Sequence, residues 1–89
     1  MKKKTGFQVR DIAGEKVLVA YGLENIDFSK MVSLNETACF IWELIEPGEE
    51  IDVDKLTTAV MNEYEIDSAS ARKDIEELLE AWKEEGLME

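Results

Sequence analysis

The sequence predicts an α+β domain in which three short strands come before three helices. A glycine turn between two β-rich segments, an apolar helix behind a capping asparagine, and two amphipathic helices joined by a short turn support this order. We expect residues 1–89 to form a single domain, because a chain of 89 residues is long enough for only one small core. The segment 1–6 is expected to be flexible.

Two strands are predicted at 7–12 (FQVRDI) and 16–21 (KVLVAY), because both are rich in β-branched and aromatic residues. Gly14, between them, suits the positive φ of a tight hairpin turn. The second strand is apolar on both of its faces, which favours a central position in the sheet. A loop is predicted at 22–29, followed by a third strand at 30–34 (KMVSL).

The first helix is the most apolar element of the chain. Asn35 is a good N-cap, Glu36 suits the first turn, and Pro47 ends the helix near Ile45. Apolar residues cover most of its circumference, which indicates packing from several directions. One side carries Ala38, Ile41, Trp42 and Ile45, extended by Phe40 and Leu44.

Asp52 is predicted to cap a second helix over 53–64, and Asp67 or Ser68 a third helix that runs to about Glu85. Gly86 suits the left-handed residue that ends such a helix. The third helix has a predicted buried stripe of Ala71, Ile75, Leu78 and Trp82. The join between these two helices is short, as in a helix-turn-helix.

The net charge of −11 is unevenly distributed. Six basic and four acidic residues lie in 1–30, whereas 31–89 holds four basic and seventeen acidic residues. Such a field repels nucleic acid and anionic membranes and attracts basic partners. One cysteine allows no internal disulfide, and no segment is apolar enough for a signal peptide or a membrane span. We therefore expect a cytoplasmic protein without a membrane partner.

The side chains favour binding over catalysis. The chain has no histidine, so it lacks an imidazole base or metal ligand. Cys39 lies inside the first helix without a basic neighbour in sequence, which is typical of an inert, buried thiol. Paired carboxylates such as Glu76–Glu77 fit solvated surface better than a calcium loop. No catalytic residue, metal site or cofactor is predicted.

Two features are open to a binding role. On the third helix, Leu79 lies off the centre of the predicted stripe. It is either the margin of a wide core or the floor of a charged groove that also includes Arg72, Glu76 and Lys83. In a meander, the third strand is an edge. Lys30 is then either a guard against aggregation or part of an edge that pairs with a peptide.

A string of residues across the first helix carries a resemblance to a known family. The residues are Leu34-Asn35-Glu36-Thr37-Ala38, then Ile41-Trp42-Glu43-Leu44-Ile45, with weaker matches at Val53, Leu56, Tyr64, Asp74-Ile75, Leu78-Leu79, Trp82 and Gly86-Leu87. This pattern resembles the PqqD-like family, which comprises pyrroloquinoline quinone synthesis protein D and its relatives, also called RiPP recognition elements. The resemblance covers roughly residues 7–88.

The resemblance implies a winged-helix-like fold and a non-catalytic peptide chaperone. Such a protein binds the leader of a ribosomally made precursor peptide and presents it to a modifying enzyme, often a radical SAM protein. In that family the leader adds as a strand beside the third strand and lies against the third helix. The implied strand site is Lys30, Met31, Val32, Ser33 and Leu34. We infer that the helix face is Arg72, Glu76, Leu79 and Lys83.

Two other function classes are compatible with this order of elements. A winged-helix DNA-binding domain is disfavoured, because residues 68–85 hold three basic and six acidic residues. The other alternative is an interaction module that binds a protein partner and no leader peptide. The pathway is also open, since the resemblance does not distinguish pyrroloquinoline quinone biosynthesis from other peptide modifications.

Overall fold

The structure is a computed structural model that describes residues 1–21 and 26–88, with side chains described outside 21–30. Within it, three strands precede three helices, as predicted. The elements are β1 (Phe7–Ile12), β2 (Glu15–Tyr21), β3 (Ile26–Leu34), α1 (Glu36–Leu44), α2 (Val53–Glu63) and α3 (Ser68–Glu84).

The strands form an antiparallel meander in the order β1-β2-β3. The predicted central position of β2 is confirmed, and Val17, Leu18 and Val19 are all buried. A two-residue turn joins β1 to β2, with φ values of 54° at Ala13 and 85° at Gly14. Positive φ at both positions matches the right-handed twist of a hairpin.

Strand β3 is longer than predicted. Residues 26–29 were expected in a loop, but they belong to the strand, where Ile26 pairs with Tyr21 and Asp27 with Ala20. The remainder of the predicted loop, 22–25, lies outside the described residues. Asp27 and Ser29 are polar, so the sequence of this segment suggests a loop. The strand depends instead on backbone pairing with β2, which the sequence does not show.

Each helix begins at a predicted cap. The side chains of Asn35, Asp52 and Asp67 accept hydrogen bonds from backbone N–H groups in the first turns of α1, α2 and α3. Gly86, with φ of 80°, follows α3. The Leu87 N–H then donates to the Trp82 carbonyl at 2.9 Å, which satisfies a carbonyl at the helix end.

The core lies between one face of the sheet and the three helices. Trp42 of α1 and Trp82 of α3 meet edge to face with ring centroids 5.1 Å apart. Around them are buried Leu18, Leu34, Ile41, Leu56, Val60 and Ile75. Leu44, predicted to extend the buried side of α1, is instead exposed.

The buried stripe of α3 also differs from the prediction. It consists of Ala71, Ile75, Leu79 and Trp82, whereas Leu78 is only half-buried. The expectation that Leu79 lies outside the core stripe is therefore wrong, because its side chain is only 5% exposed. Both stripes have helical spacing, so the sequence does not show which of the two adjacent leucines faces the core.

The first four residues form what we call the N-terminal strap, residues 1–4. The Ile51 N–H donates to the Met1 carbonyl, and the Lys4 N–H donates to the Leu87 carbonyl. The Lys3 ammonium is buried and donates to the carbonyls of Trp42 and Ile45 at 2.8 and 2.9 Å. The strap thus contacts α1, Ile51 and Leu87, and the flexibility expected of 1–6 stays a prediction.

Candidate functional site

The outer edge of β3 borders the candidate site. β3 pairs with β2 along one edge only, so its other edge has no strand partner among the described residues. Val32 is half-buried and Leu34 buried against the helices, whereas Met31 and Ser33 are exposed. A second strand placed on this edge would meet unpaired backbone N–H and C=O groups.

A break in register divides this edge into two parts. Lys16, Val17 and Leu18 pair in order with Leu34, Ser33 and Val32, and pairing then resumes between Ala20 and Asp27. Residues 28–31 therefore lie opposite Val19 alone. An insertion of this kind bends and twists a strand. The regular part of the edge is Val32–Leu34, whereas Met31 and Lys30 lie in the break, and the Lys30 side chain lies outside the described residues.

A cleft between α1 and α3, which we call the α1–α3 cleft, begins at Asn35, the residue that follows Leu34. Its volume is about 470 Å³, and its lining residues are Asn35, Thr37, Ala38, Ile41, Asp74, Glu77 and Leu78. A second cavity of about 270 Å³ shares Thr37, Ile41 and Asp74 with it and extends toward Tyr64 and Ile66. The two cavities form one groove from the start of α1 to the turn between α2 and α3.

The helix residues predicted to bind peptide lie elsewhere on α3. Arg72 forms an ion pair with Asp54 of α2 and lies 4.0 Å from Glu76, so it faces α2. The Asp54 carboxylate raises the pKa of the Arg72 guanidinium through a hydrogen bond and its charge. Helical spacing places Glu76 and Lys83 on the same side of α3 as Arg72. The α1–α3 cleft lies on the opposite side of the buried stripe.

The lining of the cleft thus brings Asn35, the residue after β3, together with Asp74, Glu77 and Leu78, which were not among the predicted site residues. Leu78 lines this cleft, whereas its neighbour Leu79 is part of the core. In the sequence, the adjacent leucines mark this flank, but helical spacing fits either of them. Peptide contacts of Lys30–Leu34, Arg72, Glu76, Leu79 and Lys83 stay predictions.

The described residues include no group of three or more His, Cys, Asp or Glu side chains arranged to hold a metal ion. The same part of the chain has no helix long and apolar enough to cross a membrane.

Cys39 is half-buried on α1, and its surroundings disfavour the thiolate. Burial raises the pKa of the Cys39 thiol, the charge of Glu43 raises it further, and Lys16 partly opposes both. A thiol with a raised pKa is a poor nucleophile at neutral pH, because only the thiolate reacts.

We predict that iodoacetamide labels Cys39 slowly at pH 7, with a rate that rises up to a pH above 9.0, the ordinary thiol value. The denatured chain serves as the control and should label faster at neutral pH. An apparent pKa for the folded protein below that of the denatured chain would show that Cys39 is activated.

Comparison with known proteins identifies the family. The family model for coenzyme PQQ synthesis protein D, PqqD, matches residues 15–88. The chain belongs to the PqqD family. The match confirms the resemblance found in the sequence, and it begins at β2, so β1 and the N-terminal strap precede the matched PqqD region.

One solved structure with the same fold is described as TbiB1 in complex with the TbiA(beta) leader peptide. It is 24% identical to this PqqD family member, with a TM-score of 0.73, and the comparison covers 100% of this chain and 95% of TbiB1. No curated protein sequence matches the chain.

Proposed function

We propose that this protein binds the leader segment of a ribosomally made precursor peptide and presents it to a modifying enzyme, without catalysing a reaction itself. Membership in the PqqD family and the leader peptide bound to TbiB1 support this function. The observation that carries it is the edge of Val32–Leu34, which has no described strand partner and is followed directly by Asn35 in the lining of the α1–α3 cleft. A radical SAM enzyme is the proposed partner, in pyrroloquinoline quinone biosynthesis or a related cytoplasmic pathway.

Backbone pairing alone is too weak to hold a peptide on this edge. Three residues offer two or three outward hydrogen bonds, each with a net contribution of about 0.5–1.5 kcal/mol. Micromolar binding needs about 8 kcal/mol. Side chains of the peptide must therefore enter the groove, and Leu78 is the apolar side chain that they would cover, because Ala38 and Ile41 are already buried.

We predict that Leu78→Glu abolishes peptide binding, and Lys83→Glu separates binding at the cleft from binding at the helix face that the sequence predicts. Leu78 lines the cleft and is only half-buried, so a charge there obstructs apolar contacts without entering the core. Leu79→Glu is unsuitable, because it would bury a carboxylate in the core. The probe is a peptide selected by phage display of random peptides on the immobilised protein, with binding measured by fluorescence anisotropy.

Circular dichroism must show that both variants are folded. The backbone amide shifts of the labelled protein on addition of the peptide should fall on residues 32–34 and on the cleft residues of α1 and α3. Loss of binding in Lys83→Glu alone would place the peptide on the helix face of Arg72, Glu76 and Lys83. Failure to select any peptide would contradict leader binding itself.

A further inference from the structure

The charge of the α1–α3 cleft defines the class of peptide that fits it. Asp74 and Glu77 line the main cleft, and Glu65 lines the adjoining cavity. Neither cavity has a lysine or arginine among its lining residues. The cleft thus places the exposed carboxylates of Asp74 and Glu77 beside the half-buried Leu78, and no described basic side chain of the lining neutralises them.

The acidic residues on the other flank of α3 differ in this respect. Asp54 and Glu76 both have Arg72 as a partner, and the cavity beside them also contains Lys55. Asp74 and Glu77 form no ion pair with any described side chain. A bound cation would therefore be attracted more strongly to the carboxylates of the cleft than to those beside Arg72.

We propose that the bound peptide inserts a lysine or arginine side chain into the α1–α3 cleft, with its charge between Asp74 and Glu77. Residues three apart on a helix are neighbours on one face, so the two carboxylates are about one turn apart. The aliphatic part of such a side chain would cover Leu78, while its charged end reaches the two carboxylates. The cleft of about 470 Å³ has room for such a side chain.

The field of the whole protein acts in the same direction. Residues 31–89, which include all three helices, hold seventeen acidic and four basic residues, so a basic peptide is attracted before it makes contact. The inserted side chain makes binding more specific than this general attraction. The basic residue must reach the two carboxylates while the peptide pairs as a strand with Val32–Leu34. This inference rests on the proposed function, since it names the peptide class for the same groove.

The test uses the peptides selected by phage display and asks whether they share a lysine or arginine. A selected peptide is then compared with its counterpart in which norleucine or citrulline replaces that residue. We expect the neutral counterpart to bind about 2- to 5-fold more weakly, the range for an ion pair with exposed carboxylates. Asp74→Asn with Glu77→Gln should weaken the basic peptide similarly and remove its advantage over the neutral one.

Glu80→Gln is the matched control, because Glu80 is an exposed acidic residue of the same helix that does not line the cleft. It should leave the preference for the basic peptide unchanged. Selected peptides that bind at the cleft without a basic residue, or that bind the Asp74→Asn, Glu77→Gln protein equally well, would overturn the inference and leave leader binding intact. If no peptide is selected, the proposed function fails with it.

Discussion

Replacement of Trp42 by alanine should unfold most of the protein at ambient temperature. Trp42 is 2% exposed, and its ring packs against Trp82 and, at a centroid distance of 6.5 Å, against Phe7. Loss of a buried tryptophan costs about 3–5 kcal/mol. The total stability of a small domain lies near the low end of about 5–15 kcal/mol, so little would be left.

Urea denaturation followed by far-UV circular dichroism measures this loss. Phe40→Ala is a useful comparison on the same helix, because Phe40 is half-buried and has an edge-to-face contact with Tyr64 at 5.7 Å. The Phe40 variant should remain folded with a smaller loss. A cooperative urea transition of Trp42→Ala with a midpoint close to that of the parent protein would contradict the central position of Trp42.

The second large effect is expected at Lys3, in the N-terminal strap. The Lys3 ammonium donates to two carbonyls at the end of α1 and lies 4.4 Å from the centroid of the Trp42 ring. A cation at the C-terminal end of a helix interacts favourably with its dipole. Lys3→Met keeps the length of the side chain but leaves buried carbonyl oxygens without this donor, which costs about 1–3 kcal/mol.

Lys2→Met is the matched control, because it removes the same charge from an exposed neighbour. The two variants should differ clearly in their free energy of unfolding. Equal stability would show that desolvation of the Lys3 ammonium cancels its hydrogen bonds, as happens with some buried charges.

The pKa of Lys3 gives this comparison a pH dependence. Burial lowers the pKa of Lys3 below its ordinary 10.5, whereas the charges of Glu43 and Glu46 raise it. Between the lowered pKa and 10.5 the unfolded chain binds more protons at Lys3 than the folded chain does. The stability that Lys3 contributes therefore increases with pH in that alkaline interval, and so should the difference between the parent protein and Lys3→Met.

The parts of the fold that local chemistry determines could be predicted from the sequence. Asn35, Asp52 and Asp67 cap helices with their own side chains, and Gly14 and Gly86 adopt positive φ, so each signal lies within a few residues of its effect. The apolar pattern likewise located Trp42 and Trp82 in the core.

The candidate site depends on features that are not local. The register break in β3 depends on how two strands pair, and the local sequence of β3 at 26–31 does not predict it. The observed stripe of α3 keeps Ala71, Ile75 and Trp82 but contains Leu79 in place of Leu78, so a small turn about the helix axis leaves Leu78, with Asp74 and Glu77, at the cleft. Lys3 reaches carbonyls 39 and 42 residues away, so the sequence around it indicates only a mobile basic segment.

The length of those connections has a kinetic consequence. Contacts between distant residues close large loops and carry an entropic cost, so they tend to form after the folding transition state. The N-terminal strap joins the first residues to α1, to Ile51 and to Leu87, and all of these partners are distant in sequence. We expect the strap to stabilise the native state by slowing its unfolding rather than by accelerating its folding. In stopped-flow experiments Lys3→Met should thus raise the unfolding rate constant at each denaturant concentration and leave the folding rate constant unchanged. The strap would then determine the lifetime of the folded state.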